Sequence, residues 1–231
     1  MATISPTDRA RGKTISLPPP VTTRPMEVLL ACGILSSLLY IAMNVVAALR
    51  FEGYSTVSQT ISELSAIGAP TRSLWVGMAI LYGVLLIAFG VGVWLAAHGR
   101  RALRIAGGLL VANALIGLAW PPMHQRGAAT SLTDTLHIAW TAMTLPMVMA
   151  AILFAASVFG KRFRVYSIAT IVTMLFFGFL TGLDGPKIPK DLPTPFMGVW
   201  ERISIASFML WYVVLAVTLL RARRAEGRAA A

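Results

Sequence analysis

Six long apolar stretches separated by short polar ones set the pattern of this chain, at about 27–49, 74–97, 104–122, 136–158, 165–183 and 200–220. A helix needs roughly 20 mostly apolar residues to cross the hydrocarbon core of a bilayer, so each stretch suffices for one crossing. The connections are of two kinds. His98-Gly99-Arg100-Arg101 and Gly160-Lys161-Arg162 are short, which forces antiparallel neighbours. Those at about 50–73, 123–135 and 184–199 are longer. The pattern predicts an all-α fold, a polytopic transmembrane bundle of six helices elaborated on one side.

The first long connection carries a helical pattern of its own. Val57, Ile61 and Leu64 recur at i, i+4 and i+7, one apolar stripe. Ser55 or Thr56 can cap its start, and Gly68 followed by Pro70 supplies a stop. A short amphipathic helix is therefore predicted at about 56–66, lying on the bundle or in the headgroup zone. The segment from Asp184 to Pro195 holds four prolines and reads as an irregular loop.

Composition sharpens this picture. The chain of 231 residues is 57% hydrophobic and 13% charged, where a soluble domain is about half apolar and a quarter charged. Six spans leave no room for a separate soluble domain. The expected division is a basic, Pro- and Ser/Thr-rich disordered tail over 1–25, a six-span domain over 26–221 and a basic tail over 222–231. The single cysteine, Cys32, excludes an internal disulfide.

The net charge of +11 matters mainly through its distribution. Fourteen Lys and Arg fall in the two tails and the two short connections, and six on the opposite side. The positive-inside bias then places both termini in the cytoplasm. The expected location is a plasma membrane, and the expected partners of the basic tails are membrane lipids. Nucleic acid is not expected, because no aromatic platform or groove-reading motif accompanies the charge.

The polar residues of the spans and outer loops define the candidate site. Glu52, Glu63, Asp134, Asp184, Asp191 and Glu201 all fall on the outer side, with His124 and His137. Asp134, His137, Thr141 and Thr144 share one face of span four, and Thr170, Thr173, Thr181 and Asp184 one face of span five. Ionisable residues at membrane depth usually face the bundle interior or a watery cavity. The expectation is an outward-opening polar cavity lined by Glu63, Asp134, His137, Asp184, Glu201 and Arg202, and floored by Asn44, Asn113 and the threonines. The bland alternative is hydrogen-bond glue between helices for Ser, Thr and Asn, and interfacial anchoring for Glu201 and Arg202.

Residues 54–75 read Tyr-Ser-Thr-Val-Ser-Gln-Thr-Ile-Ser-Glu-Leu-Ser-Ala-Ile-Gly-Ala-Pro-Thr-Arg-Ser-Leu-Trp. This resembles the first outer loop of the DUF998 family, bacterial and archaeal six-span membrane proteins of unknown function. Trp120-Pro121-Pro122, His137 and Gly198-Val199-Trp200-Glu201-Arg202 resemble the same family, and the likeness covers about 27–220. It implies a six-span fold and focuses attention on Glu63, His137, Glu201 and Arg202. It implies no particular activity.

Three functions compete. The first is binding of a lipid headgroup or small amphiphile in the outer cavity, with no cofactor. The second is a lipid hydrolase using zinc or a similar divalent metal, with His124, His137, Asp134 and Asp184 as ligands and a carboxylate as general base. Against it, the chain has no His-Glu-x-x-His, and no Gly-x-Ser-x-Gly elbow for a serine variant. The third is a structural or partner-binding membrane protein without catalysis. A channel lacks any ring of like charges or filter sequence.

Overall fold

The structure is a computed structural model and describes residues 23–229; residues 1–22 and 230–231 of the predicted tails lie outside the described residues. Among the described residues there are six α-helices, α1 Thr23–Arg50, α2 Arg72–Leu95, α3 Arg101–Leu118, α4 Leu132–Ala156, α5 Lys161–Asp184 and α6 Met197–Ala229. All six are long and apolar enough to cross a membrane. This is a multi-pass membrane protein.

Local chemistry sets the helix ends. α3 stops at Leu118, short of the predicted 122, because Trp120 precedes Pro121-Pro122 and a residue before proline is pushed out of the α region. Ser131 and Asp134 form a reciprocal capping box that starts α4. At the other end of the molecule, α2 and α3 are joined through His98 and Gly99, both at positive φ. α1 begins three residues inside the tail predicted over 1–25, and α6 continues through the predicted start of the last tail at 222.

α1 packs on α2 and α6, α3 bridges α2 and α4, and α5 packs on α6, while α4 and α5 touch only slightly. The main core is built around Leu30, Phe89, Leu110, Ile152, Trp211 and Leu215. Side chains such as Leu38, Ile41, Phe176 and Phe179 are more than half exposed. Such large apolar surfaces belong against hydrocarbon, where backbone polar groups are already satisfied within helices.

A smaller core sits at the loop-rich end and consists of Met43, Ala47, Ile61, Leu64 and Trp75. It corrects the predicted 56–66 helix. Only Ile61–Ser65 is helical, as one short 3-10 turn capped by Thr60 rather than by Ser55 or Thr56. Ile61 and Leu64 are buried inside the mouth of the bundle, and Val57 stays exposed. The apolar stripe plugs the bundle and does not float in the interface. The proline-rich segment is also more ordered than expected, with a 3-10 helix over Gly185–Lys190.

The span hydroxyls act locally or between helices. Thr141, Thr144, Thr170 and Thr181 each donate to a carbonyl four residues back on their own helix. Ser37 Oγ donates to the Met209 carbonyl across α1 and α6, at 3.2 Å. Ser204 Oγ reaches the Met174 carbonyl at 2.9 Å, and Trp211 Nε1 donates to Ser167 Oγ at 2.9 Å. These are interhelical ties of the kind that hold membrane bundles.

Candidate functional site

The three longer loops and the first turn of α6 weave into one cap. Backbone bonds run from Ile67 N to the Met123 carbonyl at 2.8 Å, from Gly127 N to the Ile188 carbonyl at 3.0 Å and from Val199 N to the Val57 carbonyl at 3.2 Å. Gly198 permits the last of these: a Cβ there would stand 2.3 Å from the Gln59 carbonyl oxygen and 2.5 Å from that of Thr56. No larger residue fits between α6 and the first loop without moving backbone.

Glu63 is the centre of the cap. Its side chain is 3% exposed and meets Arg126 Nε at 3.1 Å. One carboxylate oxygen accepts from Gln59 Nε2 at 3.2 Å, the other from Thr60 N at 2.8 Å and Thr60 Oγ1 at 3.1 Å. Burying a carboxylate is tolerable only with such pairing and bonding. Arg126 spends its remaining donors on the Leu192 carbonyl and Thr194 Oγ1, each at 3.0 Å. Thr194 Oγ1 in turn donates to the Ser58 carbonyl at 2.7 Å. One ion pair thus joins all three loops.

The motif that opens α6 clamps the first loop from below. Glu201 accepts a short hydrogen bond from the Ile61 backbone N–H. Arg202 donates to the carbonyls of Thr56 at 2.8 Å, Gln59 at 3.0 Å and Gly198 at 2.9 Å, to Tyr54 OH at 2.6 Å and to Asn44 Oδ1 at 3.4 Å. Burial pushes the Tyr54 hydroxyl up to about 12, against the opposing pull of the Arg202 guanidinium.

The predicted site residues therefore divide into five places. Glu63, Glu201, Arg202 and Asn44 gather around the first loop. Asp134 pairs instead with His124, accepting from its backbone N–H at 2.7 Å and from Nδ1 at 2.8 Å. His137 Nδ1 lies 2.8 Å from the Pro121 carbonyl and 3.0 Å from Trp120 Nε1; the first contact needs a protonated Nδ1 and the second a bare one, so it serves one partner at a time. Asp184 is buried and paired with Lys187 at 2.6 Å. Asn113 Oδ1 is buried with no hydrogen-bond partner among the described residues.

Two chemical readings can be tested against this placement. Among the described residues, no three His, Cys, Asp or Glu side chains converge as a metal site needs; of the four proposed ligands, only His124 and Asp134 meet. The Asp134 carboxylate lies 2.8 Å from His124 Nδ1 and fixes the orientation of the ring. Ser131 Oγ stands 3.4 Å from that same Nδ1, on the nitrogen already engaged by Asp134.

An opening of about 200 Å³ lies on the cap, lined by Phe51, Gln59, Glu63, Gln125 and Arg126. Four of these were not singled out from sequence. Arg126 had a usable signal: it is the only basic residue of a loop that faces several acidic ones. Phe51, Gln59 and Gln125 had none.

A family model for a protein of unknown function, DUF998, matches residues 34–218. The chain belongs to this family. No curated protein and no solved structure matches it. Every segment by which the sequence resembles DUF998 proteins falls on the cap or beside it. The 54–75 segment supplies the Glu63 turn, 198–202 supplies the clamp beneath it, and Trp120 with Pro121 holds His137.

Proposed function

We propose that this DUF998 protein resides in a plasma membrane with both termini in the cytoplasm, and that its outward cap holds the polar headgroup of a lipid or small amphiphile. The opening beside Phe51, Gln59 and Gln125 carries the reading. Its charged members, Glu63 and Arg126, neutralise each other, so the opening suits a zwitterionic or uncharged polar group better than a bare anion. Gln125 offers an amide with no protein partner among the described residues, and Phe51 offers an apolar face. Fourteen of the 20 basic residues lie on the other side, which supports the orientation.

Two experiments test this. Reporter fusions after Arg101 and Lys161 should report cytoplasm, and those after Gly127 and Lys190 the outside; the reverse pattern sinks the orientation. In detergent, short-chain phosphatidylethanolamine should raise the melting temperature of the wild type and do so less for Gln125→Leu. No rise in the wild type removes the headgroup reading. It would leave a structural role without ligand, which one observation favours independently: Glu63, Glu201 and Arg202 already spend their bonds on the protein itself.

A further inference from the structure

Away from the cap, α2 and α3 come closest where Gly90 meets Gly107. A Cβ on Gly107 would lie 2.6 Å from the Trp94 backbone nitrogen and 2.7 Å from the Gly90 carbonyl oxygen. Beside this crossing the pair leaves a groove of about 470 Å³, lined by Val91, Trp94, Gly108, Val111, Ala112 and Leu115. Gly108 shapes its wall, since a Cβ there would stand 3.0 Å from the Trp94 ring. Trp94 is 49% exposed and Leu115 53%, so the groove opens toward the surrounding hydrocarbon.

The α3 wall continues into charge. Gly108, Val111, Ala112 and Leu115 recur at i, i+3, i+4 and i+7, one face of the helix. Stepping back along that face by four and by seven residues reaches Arg104 and Arg101, both exposed. Neither has a carboxylate partner among the described residues. α3 begins at Arg101, so the guanidiniums stand at the basic end and Leu115 lies about 21 Å further in, at about 1.5 Å per residue. Trp94, next to the end of α2, sits where an interfacial indole belongs.

We propose that this groove seats one anionic phospholipid, its phosphate at Arg101 and Arg104 and one acyl chain running past Trp94 toward Leu115. The occupant follows from the shape of the surface. Charge stands at one end only, at headgroup level, and the rest is a narrow apolar channel. Basic pockets between membrane helices are known to select anionic headgroups. The inference does not depend on the headgroup site at the cap, which lies at the opposite end and carries no net charge.

The test is native mass spectrometry of the full chain in mild detergent, titrated with phosphatidylglycerol or phosphatidylcholine. The first phosphatidylglycerol should bind well ahead of phosphatidylcholine. Arg101→Gln with Arg104→Gln should weaken it about thirtyfold, from two basic contacts, and leave phosphatidylcholine unchanged. A charge-matched control, Arg221→Gln with Arg224→Gln, should keep the wild-type preference. Ala112→Phe, which fills the groove, should weaken both lipids; Val91→Phe on the facing wall repeats the test, and a lipid-free melt checks the fold of each variant. An unchanged preference in the Arg101/Arg104 variant overturns the proposal. So does an equal loss in the control, and so do folded groove variants that bind normally.

Discussion

The two ends of this bundle handle charge in opposite ways. At the loop-rich end, Glu63 is buried against a partly exposed Arg126, and Glu201 and Arg202 spend themselves on backbone groups. At the basic end the connections are tight turns and Arg100, Arg101 and Arg104 stand exposed. Charge at the first end is consumed in holding loops together. Charge at the second is available to whatever lies outside the protein. A tally of polar residues would call the first end the more functional; the bonding partners show that most of that polarity is already spent.

Substitutions can break this contrast, starting with the largest expected effect. Arg126→Ala strands the buried Glu63 carboxylate and should cost about 3–5 kcal/mol of unfolding free energy, the usual penalty for a broken buried pair. Denaturant melts in detergent check it, and a loss below about 1 kcal/mol, the scale of an exposed pair, would mean the pair is solvated. Leu64→Ala, at a fully buried position, should cost about 2–5 kcal/mol; a near-neutral result would return the 61–65 turn to the membrane surface. Thr60→Ala removes the cap of that turn and should cost about 1 kcal/mol, read in the same melts.

The remaining two sharpen the contrast from its weak side. Arg101→Gln with Arg104→Gln should change lipid-free stability by no more than about 0.5 kcal/mol, as exposed substitutions do. A large loss would show that the basic end is structural after all. Tyr54 should stay protonated in the folded state to about pH 12, followed by tyrosinate absorbance. Its folded value lies above its ordinary 10.0, so its contribution to stability is complete below pH 10 and is lost as pH rises through 12. Arg202→Gln should alter that titration and leave neutral-pH absorbance alone.

The helices were legible from sequence because hydrocarbon thickness dictates a minimum apolar run, and all six runs meet it. The ends were less so: Trp120-Pro121 cuts α3 early through a steric effect that a hydropathy pattern does not register. The 56–66 prediction recognised Ile61 and Leu64 as one apolar face and left open whether that face meets the bundle or the headgroups. Burial in a bundle mouth and burial in headgroups demand the same spacing. The site was only partly readable. Glu201, Arg202 and Asn44 stand with Glu63 around the first loop, whereas His137 and Asp134 share a helical face without sharing partners. Arg126 escaped notice because its carboxylate lies 63 residues away in sequence.

That separation bears on how the molecule is made. The bonds of the cap join Glu63 to Arg126, Ser58 to Thr194, Ile61 to Glu201 and Tyr54 to Arg202, the last three pairs more than 130 residues apart. A chain emerging from its N-terminus has the first loop in place long before any of these partners exist. Until α6 enters the bilayer, the Ile61 N–H lacks its Glu201 partner and the first loop lacks the Arg202 clamp. The final span is therefore the keystone of assembly, and a chain cut off before residue 197 would keep most of its helices while losing the closure that makes them one structure.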